Sequence, residues 1–241
     1  MGPVPAEPLP RVVRRRAREE ILREIVEVAR RQLATRGAAA LSLRAVAREL
    51  GMVSSAIYRY VPSRDDLLTL LILDAYNALG ASVEEAEARG PRADPLGRWL
   101  AICHAVRDWA LAHPHEYALV YGSPVPGYEA PQTTVPAATR VTVLLSTLLQ
   151  DAVAADPALG SLPGSMAGDV AVALRPTRPF VPDGVPDELL LRGLVVWTDL
   201  FGAVSMELFG HWHLVVDDDP DLRRAFFAEA MTRKGHQVGF G

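Results

Sequence analysis

Apolar residues recur at helical spacing along most of the chain, and the clearest case lies between Leu41 and Leu68. There Leu43, Val46, Ala47 and Leu50 fall at i, i+3, i+4 and i+7, which puts them on one face of a helix. Ser42 stands just ahead of them, where a hydroxyl can accept from a free N–H of the first turn. Gly51 follows, where a helix commonly ends in a left-handed residue that costs glycine little. Beyond Met52 and Val53 the apolar pattern resumes at Ile57 and Val61. The residues between them, Ser54, Ser55, Tyr58, Arg59 and Tyr60, are left to face outward. Two short helices about a tight glycine turn form the helix-turn-helix pattern, whose second helix enters the major groove of DNA.

The flanking pattern supplies the rest of an all-α chain. A first helix is predicted over Arg18–Arg36, with Ile21, Ile25, Val28, Ala29 and Leu33 as its apolar stripe and Gly37 at its end. After Pro62-Ser63, a long helix is predicted from Asp65 to about Glu87 and is broken by Arg89-Gly90-Pro91. Further helices are expected over Pro95–Ala112, in a short piece to Tyr121, and over about Thr133–Ala154. Asp156 to Pro186 is rich in Pro and Gly and reads as a flexible loop or lid with one short apolar piece. Asp187–Trp212 is apolar on nearly every face, so it must be buried on every face. One side would meet the core and the other a second copy of the chain, with Leu194, Val204, Leu208 and (from the last helix) Phe226 at that interface. Asp219-Pro220 opens the last helix, with Asp as cap and Pro at the first position, and it is expected to run to Thr232. The expected organisation is a disordered basic arm over 1–17, a three-helix DNA-binding module over 18–64, a larger helical ligand-binding and dimerisation domain over 65–233, and a tail over 234–241.

Charge sharpens this division. The 241 residues carry a net charge of −4. Residues 1–64 hold 13 arginines against 6 acids, a balance of +7, while residues 65–241 hold 12 basic residues against 23 acids, a balance of −11. A basic head on an acidic body is the electrostatic footprint of a nucleic-acid-binding module. In the arm, Arg11, Arg14, Arg15 and Arg16 either contact phosphate or the minor groove, or belong to a solvated tail. The first ten residues lack the apolar core of a signal peptide, and the apolar runs are broken by polar residues every few positions. An intracellular, cytoplasmic protein with no membrane-spanning helix is therefore expected. The single cysteine, Cys103, excludes an internal disulfide and any cysteine-based zinc site.

The run from Ser42 to Leu68 resembles the DNA-binding module of TetR-family transcriptional regulators. The resemblance rests on Ala47, Leu50-Gly51, Ile57-Tyr58-x-Tyr60-Val61, Arg64-Asp65 and Leu67-Leu68. It implies that Ser42 and Arg44 touch DNA at the start of the second helix, together with Ser54, Ser55, Ala56 and Tyr58 of the recognition helix. Arg59 and Tyr60 follow, and Arg64 sits where the family has a phosphate-binding lysine. On chemistry, the fork of Arg59 suits guanine O6 and N7, whereas Tyr58, Ser42 and Arg64 suit phosphates. Tyr58 has partial packing under the first helix as its alternative. Val53 stands where many family members have a capping serine, so a shift of the cap to Ser54 or Ser55 is open, and with it the start of the recognition helix by about one residue. The resemblance further implies a homodimer, a double-stranded DNA operator and release by a small-molecule effector. HPHEYALVYGSPVP and WTDLFGAVSMELFG resemble the effector domain of a subgroup of that family.

The remaining chemistry is sparse. His211 and His213, two apart on a helix, diverge by about 200°, and His113 and His115 flank a proline, so no metal site and no cofactor are expected. Cys103 and His104 are neighbours on a helix and do not form a catalytic pair. The chain has no phosphate loop, nucleophile elbow or dinucleotide fingerprint, so an enzyme is not expected. Trp99, Val106, Trp109 and Tyr121, with Leu145, Trp197 and Phe201, are the candidate lining of a pocket for an apolar or aromatic effector of unknown identity. The alternative function is a helical small-molecule-binding protein without specific DNA readout.

Overall fold

The computed structural model describes residues 11–161 and 166–241. These residues form helices joined by turns and loops, with no strand among them. The first helix, α1, spans Arg11–Arg36. It starts seven residues earlier than its apolar stripe predicts. Arg and Ala are strong helix formers, no Gly or Pro interrupts Arg11–Arg36, and Arg15 pairs with Glu19 one turn on at 3.6 Å. The stretch 11–17 of the expected arm is therefore helical; residues 1–10 and the Arg11 side chain lie outside the described residues.

Helices α2 (Leu43–Glu49) and α3 (Ser54–Ile57) follow, and α4 runs over Arg64–Ala88. Ser63 starts α4 with a reciprocal cap, its hydroxyl accepting from the Asp66 N–H at 3.1 Å and meeting the Asp66 carboxylate at 2.6 Å. Between α2 and α3, Gly51 has φ +66°. The Met52 N–H donates to the Ala47 carbonyl at 2.8 Å and the Gly51 N–H to Arg48 at 3.2 Å, the paired bonds that close a helix on a left-handed residue. A side chain there would bring backbone strain, which is why glycine marks the turn.

The chain divides into two compact units, with a boundary that differs from the expected one at 64/65. The first unit comprises residues up to Ala75 together with His115–Thr134. Its core is closed by Ile25, Val28 and Ala29 of α1, Val46 and Ala47 of α2, Ile57, Val61, and Leu67 and Leu68 of α4. Helix α6 (Pro114–Tyr121) and the loop after it belong here too: Leu119, Val125 and Tyr128 pack against that core. Two polar ties accompany them. The Tyr128 and Thr69 hydroxyls meet at 2.9 Å, and Arg30 Nε lies 3.1 Å from Glu116.

The second unit comprises Tyr76–Pro114 and Val135–Gly241. It contains α5 (Pro95–Ala112), α7 (Val135–Ala138), α8 (Arg140–Ala155), α9 (Gly168–Ala173), α10 (Asp187–Leu208) and α11 (Pro220–Val238). The helix expected over Thr133–Ala154 is divided at Thr139, after Pro136. The Pro-rich segment holds two 3-10 turns, Pro157–Ser161 and Arg175–Phe180, besides α9. Asp219 caps α11 as expected, accepting from the N–H groups of Asp221 and Leu222. That helix continues six residues past Thr232, so the expected tail over 234–241 is largely helix. It ends at Gly239, φ +107°, where the Phe240 N–H donates back to the Gly235 carbonyl at 3.0 Å. This turn carries Phe240 into the interior, where 2% of it is exposed.

Helix α5 is central to the second unit, packing against α8, α10 and α11 through Trp99, Ile102, Cys103 and Val106. Gly235 lets α11 approach closely, since a Cβ there would stand 2.6 Å from Leu96 and 2.9 Å from Trp99. The Trp99 indole N–H donates to the Met231 carbonyl at 2.7 Å across the same contact. By length and composition α4 and α10 are each apolar enough to cross a membrane, with mean hydropathy 1.3 and 1.5. In α10, however, Leu189, Leu200 and Val204 are buried within the unit, and Glu207 is paired there with Arg107.

Candidate nucleic-acid interface and ligand cavity

In the first unit the sequence-predicted residues lie on one short segment, presented by a filled core. Ser42 takes the N-cap position of α2 in extended backbone, φ −141°, but its hydroxyl makes no capping bond. Its carbonyl accepts the first helical bond from Val46, at 3.0 Å. The open question of register resolves at Val53. It is the N-cap, extended at φ −63° and ψ 135°, with no side-chain cap, and Ser54 is the first helical residue. Ser54, Ser55, Tyr58 and Arg59 are exposed, as is Arg44 on α2, while Ala56 is half-buried. Helix α3 is a single turn, and the chain then tightens: Arg59 N–H to Ala56 at 3.2 Å and Tyr60 N–H to Ile57 at 2.9 Å are bonds of 3-10 type. Ile57 and Val61, both 0% exposed, anchor the segment from beneath.

Two of the predicted residues have internal partners. The Tyr60 ring lies under the Arg18 guanidinium, 5.5 Å from its centroid, and Arg18 also donates to the Arg59 carbonyl at 3.2 Å. Tyr60 is thus partly a support for the turn, and Arg18, which the pattern assigned only to the first helix, helps hold it. Arg64 donates to the Ala38 carbonyl at 2.9 Å, tying the start of α4 to the 3-10 turn Ala38–Ala40. An arginine has five N–H donors, so this tie leaves others for a phosphate. Arg31 pairs with Glu49 at 2.7 Å between α1 and α2, and its hydrogen bond holds the Glu49 carboxyl below its ordinary pKa.

The second unit contains an apolar cleft of about 470 Å³, its open mouth included. Of the seven residues expected to line it, Trp99, Leu145 and Trp197 do so. Val106, Trp109 and Phe201 are buried core instead: Trp109 stacks on His113 at 5.2 Å, and Phe201 packs against Trp197 at 5.5 Å. Tyr121 belongs to the first unit, where its ring meets Tyr117 at 5.1 Å. Residue type alone does not distinguish a core aromatic from a lining one, because both are apolar and half to fully buried. The cleft is completed by groups the sequence did not single out: Thr142, Ser146, Phe180 and Phe240. Phe240 was placed in a tail, and only the Gly239 turn offered a hint of its inward course.

Helix α10 presents a second feature. Val195, Met206 and Phe209 are 45–50% exposed, and with the exposed Gly202 they fall on one stripe. On α11, Leu222 and Phe226 are 55% and 47% exposed. Phe226 was among the four predicted interface residues. Val204 is corrected: it is 1% exposed in the single chain, since two residues from Gly202 along a helix is about 200° round the axis. Leu208 is half-buried, and Leu194 lines the cleft.

Comparison with known proteins agrees with this architecture on both units. Residues 25–71 match the family model for bacterial regulatory proteins of the tetR family, and residues 99–233 match the tetracyclin repressor-like C-terminal domain. The HTH-type transcriptional regulators Rv1816 of Mycobacterium tuberculosis and Mb1846 of Mycobacterium bovis are each 44% identical over 217 residues, covering 87% of this chain and 89% of theirs. Among solved structures, the regulatory protein SCO4313 superimposes with a TM-score of 0.73 at 34% identity, over 91% of this chain and 96% of that one. The chain belongs to the TetR family of transcriptional regulators.

Proposed function

We propose that this regulator is a homodimeric, cytoplasmic repressor that holds a partly palindromic operator and releases it when a small molecule enters the second unit. The observation that carries the DNA half of this reading is the surface of the helix-turn-helix. Arg44, Ser54, Ser55, Tyr58 and Arg59 are exposed on a segment whose inward residues, Ile57 and Val61, are fully buried. In this reading Arg59 reads a base edge, while Ser42, Tyr58 and Arg64 position the module on phosphates. Two heads one helical turn apart, about 34–36 Å, would match the two-fold symmetry of the operator.

The exposed stripe of α10 with Leu222 and Phe226 of α11 supports the dimer, because contiguous exposed apolar side chains mark interaction surfaces. Met206→Asp should therefore separate the chains in solution with the fold retained. Sedimentation showing an unchanged mass would move the interface elsewhere. Release requires that the effector bind the two states of the protein unequally, since a ligand with equal affinity for both shifts nothing. Selection of bound sequences from random duplex DNA tests the function. A recurrent, partly palindromic site is expected, and recovery of no preferred sequence across salt concentrations would favour a ligand-binding protein without DNA readout.

A further inference from the structure

The cleft of the second unit has a chemistry more specific than its apolar character. Its walls are rings and aliphatic chains, including Trp99, Trp197, Phe180 and Phe240 facing the leucines of α8 and α10. Among the described residues that line it, none is charged. An ionised ligand would leave water there without a counter-charge, which is costly in an apolar site. The polar groups are the hydroxyls of Thr142, Ser146 and Thr177 and the indole N–H groups of Trp99 and Trp197, and two of the hydroxyls have their protons committed. The Ser146 hydroxyl donates to the Thr142 carbonyl at 2.9 Å, and the Thr142 hydroxyl donates to the Thr139 carbonyl at 3.1 Å. A hydroxyl that donates to its own helix keeps acceptor capacity at the oxygen. The indole N–H of Trp99 is likewise committed, to Met231, so it does not serve a ligand acceptor. Thr177, on the turn at the mouth, can take either role.

We propose that the cleft selects a neutral, apolar ligand bearing a hydrogen-bond donor, of the alcohol or phenol type, with the donor directed at the oxygens of Thr142 and Ser146. This rests on the ligand-responsive reading above and narrows it to a chemical class.

Three probes of matched shape decide the matter with the full chain: 1-naphthol, which donates; 1-methoxynaphthalene, which only accepts; and 1-naphthoate, which is charged. Calorimetric titration should give 1-naphthol about tenfold tighter binding than 1-methoxynaphthalene, the size of one hydrogen bond to a buried acceptor, with 1-naphthoate weakest. Thr142→Val with Ser146→Ala should remove that preference while leaving 1-methoxynaphthalene binding unchanged. Ser146→Ala alone should remove part of it, which guards against misfolding of the double variant. Equal or tighter binding of 1-methoxynaphthalene or 1-naphthoate, no binding of any probe, or an unchanged preference in both variants would overturn the proposal. Operator binding measured in the same titrations separates the two readings. If 1-naphthol binds with the predicted preference and the operator is still held, the ligand class stands and the effector role fails.

Discussion

The two units use charge in opposite ways. In the first, Arg44, Arg48 and Arg59 are exposed around a small closed core, and the arginines of α1 continue the basic surface. In the second, two arginines are internal cross-links. Arg107 is 5% exposed and makes two hydrogen bonds to Glu207, at 2.7 and 2.6 Å, beneath the Phe227 ring. Arg98 is 0% exposed and meets Glu87 and Asp151 at 2.5 and 2.8 Å. An exposed arginine keeps its charge available to a polyanion, whereas a buried one has given it to carboxylates of its own unit. The net charges of the two halves, opposite in sign, therefore understate how differently the individual residues act.

The largest expected effect tests that contrast directly. Glu207→Ala leaves the Arg107 guanidinium buried without its partner and should cost about 3–5 kcal/mol in urea unfolding. Replacing both residues by leucine should restore most of the loss, because the penalty comes from the orphaned charge and not from missing attraction. The exposed pair Arg31–Glu49, with side chains 60% and 42% exposed, is the control: Glu49→Ala should leave the urea midpoint nearly unchanged. Equal losses at the two sites would remove the distinction between surface and interior arginines.

This difference also explains what could be read from the sequence. The helix-turn-helix was legible because its parts are contiguous: capping position, apolar stripe, left-handed glycine and exposed face all lie within Ser42–Val61. The cleft was less legible because it is assembled from α5, α8, the turn Arg175–Phe180, α10 and the residue after Gly239. Periodicity places Trp99 and Trp109 on helix α5 but cannot say that one lines a cavity and the other stacks on His113. The same limit misplaced Val204. Asp187–Trp212 is apolar all round, so the sequence offers no asymmetry from which to choose the inward face. HPHEYALVYGSPVP was legible only as a resemblance; packing of Leu119 and Val125 on the core of the first unit is a long-range contact that no local spacing encodes.

A smaller effect is expected within the first unit. Arg59→Ala should weaken operator binding by about 1–3 kcal/mol and relax preference at one base pair. Arg18→Ala should do something different. Arg18 supports the turn from behind, through the Arg59 carbonyl and the Tyr60 ring. Its loss should cost about 0.5–1 kcal/mol, spread evenly over all sequences. Binding measured against a panel of single-base operator variants separates the two. A sequence-dependent loss for Arg18→Ala would mean that it reaches a base itself, and an even loss for Arg59→Ala would make Arg59 a phosphate contact.

The smallest effect concerns His104 in the second unit, whose ring packs 5.7 Å from Phe227. Burial lowers its pKa from the ordinary histidine value, and the nearby Arg224 and Arg107 push it further down against the opposing pull of Asp108. Its Nδ1 is buried with no hydrogen-bond partner among the described residues, so a proton there would gain nothing locally. The unfolded chain therefore takes up the proton at higher pH than the folded one does. The stability associated with neutral His104 is complete above the ordinary histidine pKa and is lost as pH falls below it. The urea midpoint of the wild-type chain should accordingly drop more between pH 7 and pH 5 than that of His104→Gln. The variant is the necessary reference, because carboxylates such as Glu84, held below the ordinary range by its hydrogen bond to Arg140, contribute their own slope at lower pH in both proteins. Parallel pH profiles would mean that His104 charges freely in the folded state, and the second unit would then tolerate one more buried charge than its paired arginines suggest.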